Sequence, residues 1–267
     1  MELGIVRSKV SSEKSITEPN VKRSRFNIKG RNLAGLALAA VSLSACNLPT
    51  FGAFRGATTQ GQNELHLWQG FIITAIFVGA ITWGVLFYAV FKFRRRGSGN
   101  IPKQTHSNVK WELVYTIIPV LIVIGLFAAT YVSEDQIDAV SSHPALRVTV
   151  VGFQWGWKFE YPGGVTLVPN GSIYPVLELP KGETTTIKLI SNDVVHGFYI
   201  PAFNFSRYAL PGVTNYFDFT PTTTGYFQGK CSQFCGLYHA EMLFNVRVVS
   251  PTQFNSWLSS QQKKVTA

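Results

Sequence analysis

The chain has 267 residues, 46% of them hydrophobic and only 14% charged, with 20 Phe and a net charge of +10. All of that excess lies in residues 1–132, whereas residues 133–267 hold nine basic and nine acidic groups. Basicity confined to one part of a hydrophobic chain suggests membrane topology and argues against a groove for phosphates, so no nucleic-acid partner is expected.

Residues 1–21 are polar and patternless, a leader without a fold of its own. "KRSRFNIKGR" (22–31) is cationic and leads into "NLAGLALAAVSLSAC" (32–46). Its apolar run of about thirteen residues falls short of the roughly twenty that span a bilayer. A basic region, a short apolar core and small residues before a break read as a secretory signal over 1–45. "LSAC" (43–46) also resembles a bacterial lipobox, which would make Cys46 the lipidated first residue of an exported segment, 46–64. An ordinary cleavage site with an incidental cysteine is the alternative.

Two spans follow. Residues 65–93, "LHLWQGFIITAIFVGAITWGVLFYAVFKF", end at "RRR", and residues 113–132, "LVYTIIPVLIVIGLFAATYV", tolerate Pro119 as membrane helices can. The loop between them (94–112) largely overlaps a basic stretch. From Lys92 to Lys110 there are six basic residues and no acid, which places the loop in the cytoplasm. Residues 133–267 are then extracytoplasmic, in agreement with the signal. The predicted location is a bacterial plasma membrane, crossed twice.

The exported part is about 135 residues, enough for one domain with its own core. Short β segments are predicted at 145–155, 157–161, 172–179, 184–190, 194–200, 215–219, 225–230 and 242–249. Breakers such as "YPGG", "PKGE" and "LPG" separate them, so the domain reads as a β-sandwich or barrel. "PTQFNSWLSS" (251–260) reads as a brief closing helix.

"GKCSQFCGLYHAEM" (229–242) gathers two of the three Cys in the chain and its one Met besides Met1. The spacing is C-x-x-x-C-x-x-x-H-x-x-M, with Cys231, Cys235, His239 and Met242 as fixed points. Export permits a Cys231–Cys235 disulfide, but so small a ring contributes little through chain entropy and leaves His239 and Met242 unexplained. Zinc accepts two Cys and two His, with His196 as the fourth ligand, yet has little use for Met. Thiolates, imidazoles and a thioether form a soft set that favours copper, and a second thiolate suits a bridge to a second copper.

These residues, with "IPKQTHSN" (101–108), "WELVYTIIP" (111–119), "FQWGWKFEY" (153–161) and "DVVHGFYIP" (193–201), resemble subunit II of haem–copper cytochrome c oxidases of the actinobacterial lipoprotein type. The likeness runs from about residue 60 to 255. It implies a membrane-anchored all-β fold, in which a two-helix transmembrane hairpin precedes a cupredoxin-like Greek-key β-sandwich or barrel. It also implies a dinuclear copper A centre with side-chain ligands His196, Cys231, Cys235, His239 and Met242, plus the backbone carbonyl of Gln233. The role implied is that of the electron-accepting subunit of an aa3-type oxidase. The subunit takes electrons from cytochrome c, or a complex-bound c-type cytochrome, and passes them to the haem of the catalytic subunit, where oxygen is reduced to water.

Subunits I and III and membrane lipid would be its partners. Trp155 matches an exposed aromatic where the electron enters, while Trp157 reads as core. Glu112 matches a carboxylate at the cytoplasmic mouth of a proton path. Two departures stand out. Gln233 replaces the usual Glu and offers magnesium at the subunit boundary only a neutral oxygen. Tyr208 and Val213 stand where many relatives place Asp and Arg near the haem propionates. A standalone copper-binding membrane lipoprotein, and a quinol oxidase subunit lacking copper, are the rival readings.

Overall fold

The computed structural model describes residues 48–94 and 104–266. The signal segment, Cys46 and the middle of the basic loop lie outside the described residues.

Helix α1 spans Thr59–Lys92 and α2 spans Val109–Asp138. Both are long and apolar enough to cross a membrane, and their apolar side chains face outward all round. A helix hydrophobic on every face suits lipid or another membrane subunit as surroundings. At 1.5 Å per residue α1 reaches about 50 Å, against about 30 Å of hydrocarbon, so it extends well beyond the bilayer.

Helix α1 begins six residues before the predicted span, which started at residue 65. "TQGQNE" carries no apolar signal, yet Thr58 caps the helix by accepting the Gly61 N–H at 3.0 Å. The rest of its support comes from the β domain. Ala57 N–H donates to Ala202 O at 2.8 Å, and Thr222 N–H returns a bond to Ala57 O at 2.9 Å. Asn204, in the left-handed region with φ 51°, accepts the Phe54 N–H and donates to both Phe54 O and Gly61 O. Asn is among the few residues besides Gly that adopt this conformation readily.

The second helix is tied down as well. Asp138 pairs with Arg207, and just beyond it Ser141 N–H donates to buried Asp218 at 2.8 Å. The membrane hairpin and the domain therefore share hydrogen bonds at both chain crossings.

The domain is a sandwich of ten strands. One sheet holds β1 (Leu146–Phe153), β2 (Gly156–Glu160), β3 (Thr166–Leu167), β5 (Thr185–Ser191) and β8 (Asn215–Phe219), in the order β3-β2-β1-β5-β8. The other holds β4 (Val176–Pro180), β6 (His196–Ile200), β7 (Phe205–Ala209), β9 (Gly225–Cys231) and β10 (Leu243–Val249), in the order β4-β10-β9-β6-β7. β1 pairs parallel with β5, and β10 with β4; the other pairs are antiparallel.

Alternation sends one side of each strand inward. Val148, Val150, Phe159, Ile187, Leu189 and Phe217 thus meet Leu177, Leu179, Phe198, Phe244 and Val246 across the core. Phe198 stacks on Phe244 at 4.7 Å, and Trp157 closes edge-on against both. Helix α3 (Pro251–Thr266) is longer than the predicted 251–260. It opens on a reciprocal Ser250–Gln253 cap and lays Phe254 and Trp257 against Tyr161.

A prediction follows from the junction. A soluble fragment starting at residue 139 lacks the buried Ala57 and Thr58 and their bonds to 202 and 220–222. Each lost hydrogen bond costs about 1 kcal/mol. The fragment should melt clearly lower than one carrying residues 49–62 on a flexible tether. Equal melting temperatures would make the segment a passive lead-in.

Candidate metal centre

β6 and β9 lie side by side with Phe198 opposite Cys231, which brings His196, at the start of β6, to the level where β9 ends. The loop from 232 to 242 then leaves the sandwich and returns as β10. Its base is closed by Cys231 N–H to Met242 O at 3.0 Å, and Ser232 N–H bonds Gly197 O at 2.9 Å. Gly197 permits that approach, since a Cβ there would stand 2.3 Å from Ser232 Oγ.

The sulfur and imidazole groups converge. The two cysteines are free thiols with Sγ atoms 3.8 Å apart. Cys235 Sγ is 3.5 Å from His239 Nδ1 and 3.7 Å from Met242 Sδ, and Cys231 Sγ is 3.1 Å from Gln233 O. Ligating atoms of His196, Cys231 and Cys235 all lie within 4.8 Å of one another. All the sequence-predicted ligands are thus in one cluster. His196 and Met242 are fully buried, both cysteines nearly so, and His239 partly exposed.

The donor set fits a soft metal. His196 Nε2 is held at 2.8 Å by Asp193, while its buried Nδ1 has no hydrogen-bond partner and faces the thiols. A buried polar nitrogen left without a partner costs about 1–3 kcal/mol, which a bound metal removes. Burial tends to raise the Cys231 thiol, but the neighbouring His196 ring and the Gly197 N–H outweigh it and bring it down to about 6. Cys235 is pushed up to about 12, by burial first and then by the negative charge on Cys231. Cys231 is therefore the readier of the two thiols to ionise, and a bound cation would favour loss of both protons.

Two supporting residues escaped the sequence reading. Asp193 accepts from Gln154 N–H at 2.7 Å and from Val194 N–H at 2.6 Å, besides holding His196. Burial tends to raise it, but the bonds from His196, Val194 and Gln154 keep its carboxyl below the usual range. An Asp three residues before His196, in "DVVH", was the available signal. The other is Gln154, whose side chain donates to Cys235 O at 2.7 Å.

Trp155 is half-buried rather than fully exposed. Its indole N–H donates to Cys235 O at 3.2 Å, and its ring meets Tyr238 edge-on at 5.0 Å. Trp157 is wholly enclosed in the core. Glu112 lies far from the cluster in the first turn of α2, where its carboxylate accepts the Asn108 N–H at 3.0 Å. Tyr208 and Val213 are exposed.

Two family models match, the cytochrome C oxidase subunit II transmembrane domain over residues 51–131 and its periplasmic domain over 175–249. Among curated relatives, a probable cytochrome c oxidase subunit 2 of Streptomyces coelicolor is 35% identical over 272 residues, covering 86% of this chain and 85% of the relative. The cytochrome c oxidase subunit 2 of Mycobacterium tuberculosis is 30% identical over 300 residues, covering 86% of this chain and 83% of its own. The solved periplasmic domain of subunit II of cytochrome oxidase from Bradyrhizobium japonicum is 29% identical, with a TM-score of 0.43. It covers 47% of this chain and 99% of its own length. With two helices fit to cross a membrane and a C-terminal β-sandwich carrying a metal-capable thiol–imidazole cluster, the chain belongs to the cytochrome c oxidase subunit II family, membrane components of an oxidoreductase complex.

Proposed function

We propose that this chain is the electron-accepting subunit of an aa3-type oxidase and that its loop holds a dinuclear copper A centre. The observation that carries the reading is the convergence of Cys231, His239 and Met242 on the Cys235 sulfur, with the buried Nδ1 of His196 left unpartnered beside the two thiols. His196, Cys231, Cys235, His239, Met242 and the carbonyl of Gln233 are the ligands. When bound, the copper pair supplies reversible one-electron acceptance.

The chain's own residues do the rest. The sandwich and the closed loop base hold the ligands in place beforehand, which limits rearrangement when the electron arrives. Asp193 fixes the His196 ring with Nδ1 toward the thiols, as carboxylates commonly do for ligating histidines. Trp155 takes the electron from the donor cytochrome and is joined to Cys235 through its indole N–H. Glu112, at the cytoplasmic end of α2, receives protons for the catalytic subunit. Gln233 offers only a neutral amide to a hard cation, so magnesium binding at the subunit boundary is weak. Cys46 carries the lipid anchor.

Purification tests the assembly. Extracted in mild detergent, the chain should travel with a haem-bearing subunit and a third subunit, and Glu112→Gln should slow turnover there without affecting reduction of the copper site. A chain that purifies alone with its copper would support the standalone lipoprotein instead.

A further inference from the structure

The carbonyl of Cys235 receives two side-chain donors, Gln154 Nε2 at 2.7 Å and Trp155 Nε1 at 3.2 Å. Both come from the turn after β1. The same Gln154 gives its main-chain N–H to Asp193 at 2.7 Å, and Asp193 holds His196. Gln154 thus connects the support of one cluster residue to the backbone of another, on a different element.

That carbonyl has little else to hold it. The next residue, Gly236, has φ of 121°, a region open chiefly to glycine. A Cβ at Gly236 would lie 3.1 Å from Trp155 Nε1 and 3.2 Å from Gln154 Nε2, so the glycine also makes room for both donors. Packing does not restrain the tip, because the flanking Phe234 and Leu237 are 77% and 80% exposed. A peptide unit beside a glycine, on an exposed loop, turns readily unless hydrogen bonds fix it.

We propose that Gln154 is a positioning residue for electron transfer: its carboxamide fixes the Cys235 carbonyl so that the Trp155 indole N–H stays bonded to it. Without that anchor the peptide between Cys235 and Gly236 swings, and the contact joining Trp155 to the cluster is made only part of the time. The inference rests on the proposed role of Trp155 and of the copper site. A carboxamide donates through its NH2, a thioether donates nothing, and a carboxylate offers only lone pairs that repel the carbonyl. Gln154→Met and Gln154→Glu therefore remove the anchor at nearly constant size.

The test uses the full chain. In copper-free protein in detergent, labelled at the indole nitrogens, solvent exchange of the Trp155 Nε1 proton should speed up several-fold in both variants, more in Gln154→Glu. In the assembled oxidase, both variants should keep wild-type copper content, while kcat for the donor cytochrome falls several-fold at unchanged KM. Wild-type exchange and wild-type kcat in Gln154→Met would overturn the proposal, as would a rise in KM alone, which would make Gln154 a docking residue. Failure of the wild-type chain to take up two coppers would instead overturn the reading of the site, and the exchange measurement would still decide the role of Gln154.

Discussion

Cys231→Ser and Cys235→Ser should each leave a folded domain that no longer holds a copper pair. Serine nearly preserves the volume, and neither thiol belongs to the aromatic centre of the core, so the expected stability loss is about 1–2 kcal/mol. Metal binding is another matter. Cys235 Sγ lies within 3.8 Å of Cys231 Sγ, His239 Nδ1 and Met242 Sδ, which makes it the hub of the cluster. A hydroxyl stays protonated at neutral pH and is a hard donor, whereas the soft set depends on two thiolates. Cys235→Ser should be the more damaging of the two. Met242→Leu should behave differently, keeping copper but altering its spectrum and potential. Copper analysis and visible spectra of the three variants check this ordering, and two coppers retained in Cys235→Ser would contradict it.

Trp155→Phe should cut oxidation of the donor cytochrome to a small residue while leaving the copper spectrum intact. Phenylalanine keeps an aromatic ring near Tyr238 but removes the N–H that bonds Cys235 O. Losing that one bond on a half-buried ring costs about 1 kcal/mol of stability, too little to unfold the domain. Stopped-flow reduction by the donor separates the two effects. Unchanged transfer in a folded, copper-replete variant would reduce Trp155 to a packing residue.

Local patterns made much of the sandwich legible. Strand β8 falls at the predicted 215–219, and β1, β5, β9 and β10 differ from expectation by a residue or two at their ends. β7 was missed. "FSRYA" puts only Phe205 and Ala209 inside, and Arg207 and Tyr208 look like loop residues until β6 supplies the pairing partner. β3 has two residues, too few for any period. The polar first turn of α1 and the docking of Ala57 and Thr58 depend on residues about 150 positions away, and no local spacing encodes that.

The site divides similarly. Cys231, Cys235, His239 and Met242 announced themselves by spacing and by the rarity of sulfur in this chain. Asp193 offered a signal only in its spacing, three residues before His196, whereas Gln154 reaches the loop from another element and its type alone carried none. Trp155 and Trp157 are two residues apart, a spacing that shares one face within a strand. But Trp155 lies in the turn between β1 and β2 and meets the 232–242 loop, whereas Trp157 lies in β2 and enters the core.

The proposed copper pair is tested most directly by electron paramagnetic resonance of the oxidised wild-type chain. Two coppers per chain sharing one unpaired electron should give hyperfine structure from two equivalent nuclei, lost in Cys235→Ser. A spectrum from a single copper nucleus, or a site filled by zinc and silent, would contradict it.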